Sequence, residues 1–76
     1  MEMKEYLSKR TSRGFRKTLF VDRSRDGLFR IYARIAGTKH VYKAIKQSFL
    51  TEIGAQEFLN LHATTNNLVR SYKLDR

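Results

Sequence analysis

A chain of 76 residues with sixteen Lys and Arg against seven Asp and Glu, a formal charge of +9, has room for one small domain and points to a polyanionic partner. The absence of Cys excludes disulfides, thiolate metal sites and cysteine nucleophiles. No apolar run approaches the ~18 residues of a membrane span and the polar N-terminus has no secretory apolar stretch, so the expected location is the cytoplasm, at a nucleoid or in an infected host cell.

The apolar content of 41%, with five Phe and four Tyr, is enough for one thin core and argues against wholesale disorder. The charge is segregated. Residues 1–46 hold thirteen bases and four acids, the whole surplus, while residues 47–76 hold three of each. Placed positive charge of this kind is the electrostatic footprint of a nucleic-acid binder.

In chain order, residues 1–14 read as a flexible basic N-terminal arm carrying Lys9, Arg10 and Arg13, with Tyr6 and Leu7 as candidates to pin a short first turn. Residues 15–76 read as a single domain. From Phe15 the period becomes two: Phe15, Lys17, Leu19 and Val21 alternate with Arg16, Thr18, Phe20 and Asp22. Asp26-Gly27 closes the following segment and predicts a hairpin turn, because both residues tolerate positive φ. Residues 28–35 form the cleanest strand, with Phe29, Ile31, Ala33 and Ile35 on one face and Leu28, Arg30, Tyr32 and Arg34 on the other. After a turn at residues 36–39, residues 40–49 read as a third strand. Val41, Ile45 and Phe49 are expected on one face, Tyr42, Lys46 and Ser48 on the other.

Thr51 starts a helical period. Its hydroxyl can cap the first free N–H groups, and Glu52 suits the positive end of the helix dipole. Ala55, Phe58, Leu59 and His62 share a face, whereas Gly54 weakens the first turn and residues 63–67 make a poor helix interior. A break or fraying is expected there, then a final turn with Leu68, Val69 and Tyr72.

The predicted fold is α+β: a three-stranded antiparallel sheet packed on one C-terminal helix, βββα, preceded by the basic arm. One helix covers one face of the sheet. The other face is left open, with Arg30, Tyr32 and Arg34 along its centre, Arg16 and Thr18 on one flank, and Tyr42 and Lys46 on the other. A strand ribbon with Arg and Thr can read a DNA major groove, and Tyr32 and Tyr42 can stack on unpaired bases. The bland alternative is an ordinary solvated sheet face. Lys9, Arg10, Arg13, Arg16, Lys17, Arg23, Arg25 and Lys43 complete the candidate nucleic-acid contacts, as phosphate ligands on the arm, the strands and the first turn.

Catalysis has no visible apparatus, so no enzymatic activity, cofactor or small-molecule substrate is expected. His40 and His62 lie far apart in sequence with no acid at ligand spacing, and no phosphate-binding glycine loop or nucleophile motif is present.

Gly27-Leu28-Phe29-Arg30-Ile31-Tyr32-Ala33-Arg34-Ile35, then residues 41–49, then Thr51-Glu52-Ile53-Gly54-Ala55-Gln56-Glu57-Phe58 resemble the sheet-plus-helix DNA-binding domains of the plant APETALA2 family and the arm-binding domains of tyrosine recombinases. The resemblance implies a DNA-reading sheet face bearing Arg30, Tyr32 and Arg34. The chain departs from the plant pattern in having no Trp. In style it is also similar to small basic bacteriophage proteins that bind and block a host nucleic-acid-processing machine. The expected partner is therefore nucleic acid, DNA ahead of RNA, with an acidic host protein as the alternative and a ribosomal RNA site as a third. The expected state is a monomer or weak homodimer, since sheet edges invite pairing.

Overall fold

The computed structural model describes residues 4–8, 16–35 and 37–71. Its elements are β1 (Glu5–Leu7), β2 (Lys17–Arg23), β3 (Phe29–Ile35), β4 (Val41–Phe49), α1 (Glu52–Thr65) and β5 (Val69–Ser71). They form an α+β fold in which one antiparallel sheet, ordered β4-β3-β2-β1-β5, carries the helix on one face.

β2, β3 and β4 are the three expected strands. The sheet has five, because Glu5–Leu7 pairs with β2 and Val69–Ser71 then pairs with β1. Part of the expected arm is thus an interior strand, while Lys9, Arg10 and Arg13 lie outside the described residues. Three residues are too few to show a period. Polar contacts help to hold β1, whose Tyr6 ring also packs on the core. The Tyr6 hydroxyl donates to Asn60 Oδ1 (2.7 Å), and Gln56 Nε2 donates to the same oxygen (2.9 Å) and to the Lys4 carbonyl (3.1 Å).

The β2–β3 hairpin is regular from Lys17↔Ile35 to Arg23↔Phe29. Gly27 closes its turn at φ +84°, a conformation that glycine adopts without strain. Alternation sends Leu19, Ile31 and Ala33 to the helix side, where they meet Leu59 in the buried core. Tyr6, Val21, Ile45 and Leu68 pack around this cluster, and Phe49 and Phe58 join it with rings 5.2 Å apart.

β4 departs from simple alternation. Between the pairs Arg30↔Ser48 and Tyr32↔Lys43, β3 has one residue, Ile31, while β4 has the four residues 44–47. Three extra residues, an odd number, invert which side chains of β4 face the helix. Tyr42 was expected on the open face. It pairs with Ala33 and packs on the core, while Val41 turns to the open face.

α1 starts as predicted, with Thr51 Oγ1 accepting from the Gly54 N–H at 3.0 Å. A Cβ at Gly54 would come within 3.0 Å of that hydroxyl, so the residue that weakens the helix also leaves room for its cap. Of the predicted face, Ala55 and Leu59 are buried, Phe58 packs against the core and His62 is half-buried, while Gln56 and Ala63 are the buried residues the prediction lacked. Gln56 escapes a hydrophobic pattern because it is polar, yet it is fully buried. The expected break falls within residues 63–67, at their end. The helix runs to Thr65 and ends when Asn67 adopts φ +55°, the Leu68 N–H reaching the Ala63 carbonyl (2.8 Å) and the Asn67 N–H the Thr64 carbonyl (3.3 Å). This left-handed termination turns the chain back, so Val69–Ser71 is a strand and not a final helical turn.

Candidate nucleic-acid interface

The face away from α1 is built by parity. In the β2–β3 ladder the pairs Thr18↔Arg34, Phe20↔Tyr32 and Asp22↔Arg30 share it, and β4 adds Val41, Lys43 and Ser48. Leu7, opposite Thr18, and Val69, opposite Leu7, extend it across β1 and β5. One row therefore crosses all five strands: Val41, Arg34, Thr18, Leu7, Val69.

The three central residues that alternation singled out do lie on this face, but their heads are not equivalent. Arg30 is tied to the β2–β3 turn. Its Nη2 donates to Asp26 Oδ2 at 2.8 Å and its Nε to Ser24 Oγ at 3.3 Å, and its side chain is only 15% exposed. Asp26 also accepts from the Ser24 hydroxyl and from the Leu28 N–H (3.1 Å). The Ser24 hydroxyl, then Arg30, then that N–H hold its carboxyl well below the ordinary carboxylate range. Arg34 lies over the Phe20 ring, its guanidinium carbon 5.2 Å from the centroid. Tyr32 sits beside Phe20, with centroids 6.0 Å apart, and opposite Lys43.

The remaining predicted residues are dispersed. Arg16 is exposed ahead of β2, and Arg25 is exposed in the turn. Lys17 is on the helix side, with its ammonium 5.2 Å from the Tyr42 centroid. Arg23, at the end of β2, stands over Phe29 at 5.9 Å. Lys46 is exposed within the irregular part of β4. Thr18 is on the open face yet only 1% exposed, between Leu7 and Arg34. Acids share the face as well: Asp22 lies opposite Arg30, and Glu5 is on the side of β1 that Leu7 occupies, two residues away.

Phe20 is the functional candidate that sequence reasoning missed. The signal was present, since alternation placed this large apolar ring with Thr18 and Asp22 instead of with Leu19 and Val21. Beyond the face, the charge division is sharper than the sequence halves imply. Residues 50–68, which include all of α1, contain no Lys or Arg, so the bases of the described residues lie on the sheet and its connections.

No protein-family model matches this chain, and no curated protein and no solved structure is significantly similar to it. No helix among the described residues is long and apolar enough to cross a membrane.

Proposed function

We propose that this chain is a nucleic-acid-binding protein, not an enzyme, that engages its ligand with the open face of the sheet, DNA ahead of RNA. The observation that carries the reading is the grouping of Phe20, Tyr32, Arg30, Arg34 and Lys43 on the one face that α1 leaves uncovered. Rings beside cations offer stacking and phosphate neutralisation at once. Lys9, Arg10 and Arg13, together with Arg16, Arg23, Arg25 and Lys46, add charge without base contact in this proposal. The succession β2–β3–β4–α1 is what the APETALA2-like and recombinase-like resemblance requires, and β1 and β5 lie outside it. That kinship is part of the proposal.

A salt titration tests it. If about five phosphates are neutralised, log K against log salt falls with a slope of about −4 to −5 on duplex DNA, and somewhat less steeply on a single strand. Folded protein that binds no nucleic acid at low salt would defeat the reading. One observation then favours the alternative of a protein partner: Leu50 (85%), Ile53 (53%) and Leu61 (66%) are exposed on or beside α1.

A further inference from the structure

The open face differs from a groove-reading ribbon in width and in what it raises above the strands. Adjacent strands lie ~4.8 Å apart, so the five-strand row through Arg34 spans about 19 Å, whereas the major groove of B-DNA is ~12 Å wide. Arg34 cannot carry its whole row into that groove. Its guanidinium rests on Phe20, and the head of Arg30 is bound back to Asp26. Val41 (43% exposed) and Val69 (66% exposed) end the row with apolar groups, which match the flat faces of bases and not phosphates.

Next to this row is a place for a base. A hollow of about 320 Å³ on the same side of the sheet is lined by Tyr32, Lys43, Arg30, Arg25, Asp26 and Ser24. One wall is aromatic, and the rim carries the cations Arg25 and Lys43, both on exposed residues. Among the described residues, Arg34 Nε and Nη2 have no hydrogen-bond partner, nor does the Thr18 hydroxyl directly opposite. Buried donors without acceptors are costly and call for a partner. A phosphate oxygen of a strand crossing the row is such an acceptor.

From these features, and resting on the reading that this face binds nucleic acid, we infer that the ligand is single-stranded, with an unpaired base stacked on Tyr32 and the backbone running toward Arg34. In a duplex the base faces are already stacked and the platform has nothing to receive. On an open strand each base–aromatic stack contributes appreciable affinity irrespective of sequence.

The test compares a labelled DNA strand of about 20 nucleotides with its duplex, by fluorescence anisotropy at low salt. The wild-type protein is expected to bind the strand more tightly than the duplex. Tyr32→Leu should weaken strand binding about 5- to 150-fold and leave duplex binding little changed, whereas Tyr32→Phe should retain strand binding. Duplex binding as tight as strand binding, or an equal loss on both ligands in Tyr32→Leu, overturns the single-strand inference while the nucleic-acid reading stands. No binding to either ligand by folded protein overturns both. Should Tyr32→Leu fail to fold by circular dichroism, tyrosine emission decides: the strand should quench the wild type more than Tyr32→Phe, and equal fractional quenching overturns the inference.

Discussion

The two faces of the sheet are made by the same strands and serve opposite ends. On the helix side Leu19, Ile31 and Ala33 are buried against Leu59, and each large side chain there contributes about 1.5–3 kcal/mol through burial. On the other side Arg34 rests on Phe20 and Arg30 on Asp26, half-buried contacts worth roughly 1 kcal/mol each. One face holds the domain together. The exposed side chains of the other are expected to tolerate substitution, which is the freedom a binding surface needs.

The most forceful way to break this contrast is to truncate neighbours on β3. Ile31→Ala, and likewise Leu59→Ala, should lower the unfolding free energy by about 2–5 kcal/mol in urea titrations, enough to unfold many domains of this size. Arg34→Ala should cost about 1 kcal/mol or less in the same assay and show its effect in nucleic-acid affinity. If Arg34→Ala unfolds the protein and Ile31→Ala is tolerated, the faces are reversed and the proposed interface has to be given up.

A second pair sharpens the contrast on β4, where the faces change over. Tyr42→Ala should cost about 1–3 kcal/mol, because the ring packs on the core, and Val41→Ala less than about 0.5 kcal/mol. Equal costs in thermal or chemical unfolding would mean that the odd register shift is absent in solution.

The smallest expected effect concerns pH. Asp26 has a lowered pKa in the folded chain, so its bonds to Ser24, Arg30 and Leu28 stabilise the fold at pH values above the unfolded carboxylate pKa of about 3.9. That contribution is lost as pH falls below this value and toward the lower folded one. Asp26→Asn should therefore flatten the fall in melting temperature below about pH 4. Superimposable acid profiles for wild type and variant would show that the turn does not use the charge.

Most of the hairpin was legible because its physics is local. Asp26-Gly27 fixes the turn, and strict alternation on β3 separates Ile31 and Ala33 from Arg30, Tyr32 and Arg34. The same reasoning misassigned Tyr42, because a period of two carries no record of three extra residues opposite Ile31. It left Gln56 off the buried helix face for a related cause. Gln56 and Asn60 are polar, and only their bonds to Lys4 and Tyr6 explain why Gln56 is fully buried.

What the sequence by itself determined is the α+β class, the order of the central strands before the helix, the Thr51 cap and the concentration of positive charge outside residues 50–68. These depend on periodicity, capping and composition, which act within a few residues. The tertiary structure decided that Glu5–Leu7 is an interior strand, that Asn67 returns the chain to a fifth strand, and that Tyr42 and Phe20 occupy opposite sides of the sheet. Each of these depends on partners distant in the chain: β1 on Asn60 and Gln56, β5 on β1, and the faces of β4 on its register with β3. Such pairings exist only once the chain has closed on itself, so no window along the sequence contains them.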